Sequence, residues 1–313
     1  MTNALPLLLQ VAAWLAMFAI SAVLQAAKAE NVYVIDTSKR PHSLAFANAI
    51  NQACPSCQPV KYMDMHGSHR LARQIGSTLT DLHQKKELDL VVTIGRPATR
   101  LVARTLDDVP IFHSMAANPL PDSNESPNVI NVEAVPPLSL QLQTLITLAP
   151  ETRTIGFLGT RETLEPHLNI ANKAAAQMGI QVKFYYVRRP YDVSNGLRKA
   201  IRETDGLIFL HDPVVVNADT VNYLLRLTLE NRIPTLGYSE KLVERGMLAA
   251  LTTNPEYFGK KLGEAIQQYI ETGEEPSIEM IPALFQLHIN GNTASQTPTV
   301  QAVAPNGVRM VLR

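Results

Sequence analysis

Apolar and polar positions change period in a regular way along this chain. Asn31 to Asp36 (NVYVID) is a short apolar run closing on a polar turn, and His42 to Ala53 (HSLAFANAINQA) has helical spacing. A strand-like PVKYM follows. Ser68 to Lys86 (SHRLARQIGSTLTDLHQKK) then reads as a capped amphipathic helix with basic residues at its end. The alternation continues through strand DLVVTIG, helix ATRLVARTL, strand PIFHS, a loop rich in Pro, Asn and Ser from Ala116 to Asn128, the short strand VINV and the helix SLQLQTLITLAP. It restarts at strand Thr154 to Gly159 and runs through a helical stretch to Gly179, strand QVKFYYV, helix NGLRKAIRE, strand GLIFLH, helix ADTVNYLLRLTLEN and strand PTLGYS. Strand Met247 to Thr252, a long helix Pro255 to Gly273 and strand Leu284 to Asn290 complete the regular part; the polar, Pro-containing residues 291–313 read as a loose tail. Nearly continuous apolar strands separated by helices predict α/β architecture with parallel sheets covered on both faces.

The restart is also a repetition. ELDLVVTIGRP from Glu87 and ETDGLIFLHDP from Glu203 align without a gap at an offset of 116, pairing Glu87 with Glu203, Asp89 with Asp205 and Pro97 with Pro213. Each copy is followed by a helix and by a strand that opens at Xaa-Pro, in DVPIFHS and RIPTLGYS. A chain of 313 residues has room for two such βαβαβ domains, each with its own core. In open sheets of this kind, polar groups and helix N-termini collect at the carboxyl ends of the strands. If two such domains face each other by those ends, the cleft between them is the expected ligand site.

The first 29 residues stand apart. Pro6 to Leu24 carries no charge and ends near small residues at Ala27 and Ala29, the pattern of a cleaved secretory signal peptide. An uncleaved membrane anchor is the alternative, because the apolar run is long and MTNAL lacks Lys and Arg. The chain has 28 basic and 28 acidic residues, so removing Lys28 leaves a slight acidic excess. That balance offers no electrostatic footprint for nucleic acid or for an acidic lipid surface. Cys54 and Cys57, in CPSC, lie between a helix end and a strand start, which in an exported protein favours a local disulfide over a redox dithiol.

Two longer segments carry a family resemblance. VVTIGRPATRLVARTLDDVPIFHSMAANP and IPTLGYSEKLVERGMLAALTTNPEYFGKKLGEAIQQYIETGEEP resemble the extracytoplasmic substrate-binding proteins of ABC transporters with the type I periplasmic binding fold. The resemblance is to the group whose better-known members bind aromatic amino acids such as tryptophan. It implies two doubly wound parallel-sheet lobes joined by a three-segment hinge. Lobe 1 would be 31–131 plus 252–273, and lobe 2 would be 132–251 plus 274–290. It further implies a monomer that captures a small-molecule ligand and docks on an inner-membrane permease or receptor, in the periplasm, with no cofactor.

The ligand-binding residues follow from the strand ends. In the first lobe they are Asp36, Thr37 and Ser38, then Gly95, Arg96 and Pro97, then His113, Ser114 and Met115. In the second they are Thr160 and Arg161, His211 and Asp212, and Tyr238 and Ser239. Gly95 would let the backbone approach a carboxylate at the start of a helix. Arg96 stands where relatives often carry a small hydroxyl residue and offers a charged fork for a carboxylate or phosphate. Asp212 remains to meet an ammonium group, while a second carboxylate of the family pattern is missing. Plainer roles compete with these: Arg96 on the surface, and Asp212 as the shaper of a turn before Pro213.

His66 and His69, with Met63 and Met65, resemble a soft-metal site but lack an evident third ligand. An exported hydrolase is the competing enzyme reading. The chain shows no G-x-S-x-G elbow, no H-E-x-x-H and no G-x-G-x-x-G turn after the first strand. A periplasmic ligand-sensing subunit is the other alternative, since it needs the same fold and only a different partner.

Overall fold

The structure is a computed structural model and describes residues 31–38, 41–114, 127–132, 135–275, 277–297 and 300–313. Residues 1–30, expected to be a leader, Met115 and nearly all of the Ala116–Asn128 loop lie outside the described residues. Two compact units emerge. One holds the described residues up to Ser114, 127–132 and Gly259–Ile278; the other holds 135–Phe258 and Glu279–Arg313.

The first unit is a five-stranded, wholly parallel sheet in the order β2-β1-β3-β4-β5. Its strands are β1 (Val32–Asp36), β2 (Lys61–Asp64), β3 (Leu90–Ile94), β4 (Ile111–Ser114) and β5 (Val129–Val132). Every residue of β1, β3 and β4 is buried, which is why those runs are apolar without alternation. Helices α1 (Pro41–Ala53), α2 (His69–Gln84) and α3 (Arg96–Thr105) belong to this unit. Ser68 caps α2 by accepting from the Leu71 N–H.

A later helix, α10 (Pro255–Thr272), runs from the second unit into the first. Its Gly259 and Gly263 touch α1 backbone to backbone. A Cβ on either would sit 2.5 Å from the Phe46 carbonyl oxygen or 2.9 Å from that of Ile50. Further along α10, Tyr269 meets Phe112 edge-on, and Gln267 accepts from the Ser56 N–H at 3.0 Å. Ser56 lies in the turn that the buried Cys54–Cys57 disulfide closes.

The second unit is a seven-stranded sheet in the order β12-β11-β10-β9-β8-β6-β7. Strands β6 (Thr154–Gly159), β7 (Gln181–Tyr186), β8 (Gly206–Ile208), β9 (Thr235–Gly237) and β10 (Ala249–Thr253) are mutually parallel. β11 (Phe285–Ile289) pairs antiparallel to β10, and β12 (Arg309–Leu312) adds parallel to β11. The helices are α4 (Leu138–Leu148), α5 (Arg161–Leu164), α6 (Leu168–Gln177), α7 (Val193–Glu203), α8 (Val221–Glu230), α9 (Glu240–Glu244) and α11 (Gly291–Gln296). Leu158, Leu197, Leu207, Phe209 and Leu224 lie in its core.

Two sequence expectations are corrected here. Residues 291–297 and 300–313 are not a loose tail: Asn290 caps α11 through the Thr293 N–H, and β12 extends the sheet. Its side chains are largely exposed, so the strand is held by backbone bonds, which leave no apolar period to read. Helix α8 begins at Val221, later than Ala218. The segment before it is organised by Asn217, whose Oδ1 accepts from Asp219 and Thr220 N–H groups, and by Thr220, whose hydroxyl donates to the Val215 carbonyl. No helix of the described residues is long and apolar enough to cross a membrane.

Candidate functional site

The repeat noted in the sequence begins at the strand entries. Asp89, just before β3, donates its N–H to the Asn31 carbonyl and accepts from the Asn31 N–H through Oδ2. Asp205, just before β8, does the same to Thr154: its N–H donates to the Thr154 carbonyl, and its Oδ2 accepts from the Thr154 N–H at 2.8 Å. One aspartate in each unit thus staples the entry of a central strand to its parallel neighbour.

At the other end of β3 the first unit builds a polar turn. Gly95 has a φ of 85°, in the left-handed region, and any Cβ there would lie 3.0 Å from the Thr37 hydroxyl. Glycine has no side chain with which to cap α3, so Thr37 caps it from the turn after β1. Its Oγ1 accepts from the Ala98 N–H at 3.2 Å and donates to the Ile94 carbonyl at 2.9 Å. Pro97 fills the first turn of α3, where its missing N–H costs nothing. Asp36 is buried beside this turn and accepts from the Ser38 N–H at 3.1 Å and from the Tyr62 hydroxyl at 2.7 Å. Burial, together with that bond to Asp36, raises the Tyr62 hydroxyl well above its usual pKa.

β4 pairs with β3 so that His113 lies opposite Thr93 and Ser114 opposite Ile94. The Thr99 hydroxyl is 2.7 Å from that of Thr93 and 2.6 Å from Nδ1 of His113, all within the buried interior. His113 is 3% exposed; burial first, and the positive charge of Arg96 second, pull its pKa down to about 4. The ring is therefore neutral at ordinary pH. Nε2 of His113, Oγ of Ser114 and Nε of Arg96 are all buried and have no hydrogen-bond partner among the described residues. Buried polar atoms left in this state are uncommon and call for an explanation.

The second unit's strand ends are arranged differently. Asp212 is 1% exposed, and its oxygens face donors of its own unit. Oδ2 accepts from the Thr160 N–H at 2.7 Å, and Oδ1 accepts from the N–H groups of Val214 at 2.9 Å and Val215 at 3.3 Å. Burial alone would raise its pKa, but the bonds from Thr160, Thr163 and Val214 outweigh it and hold the carboxyl below its usual range. Through these bonds Asp212 braces the turn before Pro213. Arg161 is exposed, ion-paired with Glu165, and lies 5.1 Å from the Tyr186 ring centre. His211 and Tyr238 meet edge to face with ring centres 5.0 Å apart. Burial and the neighbouring Asp212 charge raise the Tyr238 hydroxyl. Ser239 stands half-buried at the start of α9.

Thr37, Gly95, Arg96, His113 and Ser114 thus share one edge of the first sheet, and Thr160, His211, Asp212 and Tyr238 share one edge of the second. Tyr62, Thr93 and Thr99 were missed from sequence. The available signal for Thr93 was its place in an otherwise apolar strand buried on both faces, where a hydroxyl must find a partner. For His66, Nδ1 is 3.1 Å from Oδ2 of Asp64, within ion-pair distance though outside hydrogen-bond geometry. No group of three or more His, Cys, Asp or Glu among the described residues is arranged to hold a metal ion.

Two parallel-sheet units with polar turns gathered at the strand ends are the architecture of the type I periplasmic binding fold. The chain belongs to the ABC transporter substrate binding protein family, whose pattern it matches over residues 56–298. It is 23% identical over 202 residues to the Tyrosine-binding protein of Clostridioides difficile (strain R20291). That alignment takes in 62% of this chain and 57% of the relative, so the chain spans little more than half of the relative's length. Among solved structures, the ABC domain in complex with L-Trp from Streptococcus pneumonia is 17% identical, with a TM-score of 0.56 over 90% of this chain and 100% of that one. The ligand-free, open structure of a substrate binding protein with adhesive properties from Clostridium difficile is 18% identical, with a TM-score of 0.67 over 90% and 99%. At these identities the structural likeness establishes the fold alone.

Proposed function

We propose that this chain is the exported solute-binding component of an ABC importer, capturing a small carboxylate-bearing solute at the strand-end turn of its first unit. In this reading it acts outside the inner membrane as a monomer, delivers its solute to a membrane permease, and carries out no chemistry. Membership of the family supports the role, and the relatives' names supply the scale of the solute. The observation that carries the ligand assignment is the trio of buried polar atoms on Arg96, His113 and Ser114 beside the start of α3, which have no partner among the described residues. A helix N-terminus, a guanidinium and two further polar groups at one sheet edge suit an anion.

The test is a thermal-shift screen on the protein recovered from the periplasmic fraction of an expression host, with amino acids, organic acids, sugars and nucleosides. A ligand at about 100 times its Kd adds roughly 2.7 kcal/mol, which raises Tm by a few degrees. Arg96→Gln is expected to abolish that shift. Failure of every small solute to move the transition would remove the proposal.

A further inference from the structure

We infer that the strand-end edge of the first unit takes a solute with a carboxylate at one end and a cationic nitrogen about 10 Å away at the other, with Asp64 receiving the nitrogen. This rests on the solute-binding reading above and adds a second contact to it. Asp64 is the last residue of β2. Its side chain is 7% exposed, and its Oδ2 is buried with no hydrogen-bond partner among the described residues. A carboxylate oxygen taken out of water and given no donor is costly, so a donor brought by a ligand relieves that cost. Its Oδ1 accepts from the His66 N–H at 2.7 Å, and the His66 ring lies within ion-pair reach of Oδ2 at 3.1 Å. That ring is more than half exposed, and a partner so open to water holds a carboxylate weakly.

Sheet register decides what stands beside Asp64. It is paired with Asp36 on β1, Asp36 with Ile94 on β3, and Ile94 with Ser114 on β4. Paired residues of neighbouring strands point to the same face, so Asp64, Asp36 and Ser114 share one face at the carboxyl ends. Tyr62, two residues before Asp64, joins them: burial first, then its bond to Asp36 and the charges of Asp36 and Asp64, keep the proton on its hydroxyl. Two carboxylates thus end adjacent strands. Both oxygens of Asp36 accept hydrogen bonds, from the Ser38 N–H and the Tyr62 hydroxyl, but these donors are neutral and leave its charge in place. Asp36 therefore adds to the negative field, and Asp64 offers the open oxygen. No group of three or more His, Cys, Asp or Glu among the described residues is arranged to hold a metal ion, so the cation that fits is an organic one, an ammonium or a guanidinium.

The opposite charge stands further along the same edge. Arg96 opens α3 two residues past Ile94, and its buried Nε has no partner among the described residues. β3 lies two strands from β2, about 10 Å at the usual strand spacing. An α-amino acid holds its charges two bonds apart, about 2.5 Å, and cannot reach from Arg96 to Asp64. A chain of eight bonds at about 1.3 Å each can.

The experiment is isothermal titration calorimetry of the protein recovered from the periplasmic fraction, near neutral pH, with straight-chain pairs that differ in a terminal ammonium: butanoate and 4-aminobutanoate, hexanoate and 6-aminohexanoate, octanoate and 8-aminooctanoate. The ammonium should add less than about 2-fold to affinity in the shortest pair and about 10-fold or more in the longest. Asp64→Asn should bring the longest pair to within about 2-fold of each other. That ratio is read on one protein, so a loss of folded material does not imitate it. Arg96→Gln should weaken both members of the longest pair together, by about 10-fold or more. If octanoate binds as tightly as 8-aminooctanoate, or the ammonium helps most in the shortest pair, the inference is overturned and the carboxylate site stands. A preference that survives Asp64→Asn overturns it as well. If no acid of any length binds, the inference falls together with that site.

Discussion

The turn after β3 and the turn after β8 occupy matching places in a repeated unit, yet they spend their polar groups in opposite ways. After β3, the capping work is done by Thr37 from the turn after β1, and the turn's own Arg96, with His113 and Ser114 beside it, keeps buried polar atoms without a partner among the described residues. After β8, the residue at the same offset as Arg96 is Asp212, and its carboxylate is spent on the N–H groups of Thr160, Val214 and Val215. One turn is organised from outside and left with polar capacity. The other spends its aspartate on the N–H groups of Val214 and Val215 in the turn itself and of Thr160 at a neighbouring strand end. A repeated unit can therefore leave polar groups unspent at one turn and use them for bracing at the other by moving one capping side chain.

The sharpest way to break this comparison is to remove the two residues in parallel. Asp212→Ala strips an acceptor from three N–H groups, one buried and two part-buried, and should lower stability by about 3 kcal/mol in urea unfolding. Arg96→Gln should leave ligand-free stability within about 1 kcal/mol of the parent. If the two substitutions cost the same in the absence of ligand, the division of labour between the turns is wrong.

A pH titration of stability sharpens the first turn further. The folded pKa of His113, about 4, lies below its ordinary value of 6.5. Above pH 6.5 the ring is neutral in both the folded and unfolded chain, and this stability is fully present. As pH falls from 6.5 toward 4, the unfolded chain takes up a proton that the folded chain refuses, so stability declines by about 3 kcal/mol. His113→Gln should flatten that part of the curve. Asp212, whose folded pKa is lowered, is ionised throughout that window and loses its contribution only in stronger acid.

Much of the architecture was legible because buried parallel strands and amphipathic helices leave strong periods in the sequence. LVVTI at β3 is apolar throughout because both faces are covered, and the Ser68 cap announces α2. What the sequence hid was held by backbone or by distant side chains. β12 joins its sheet through main-chain bonds under exposed side chains, so nothing in RMVL marks it as a strand. The site was half legible. Strand ends located Arg96, His113 and Asp212, but whether an aspartate is free or spent depends on which N–H groups the fold brings to it. Thr160 is 52 residues from Asp212, and no local pattern records that bond. The His113–Thr99–Thr93 relay was hidden for the same reason, since only strand pairing brings His113 to Thr93.

The smallest expected effect tests whether the two units are built alike where they do not differ in task. Asp89 and Asp205 make the same pair of bonds to Asn31 and to Thr154, at the opposite edge of each sheet from the turns compared above. Both aspartates are exposed, so water can replace part of what each supplies. Asp89→Ala and Asp205→Ala should each cost no more than about 1 kcal/mol, and the two should agree within about 0.5 kcal/mol. Equal losses in urea unfolding, beside unequal losses for Arg96 and Asp212, would show that the strand entries kept a shared structural role while the strand exits diverged. A large gap between the two aspartates would mean instead that the repeat at the entries is a likeness of sequence without a likeness of energy.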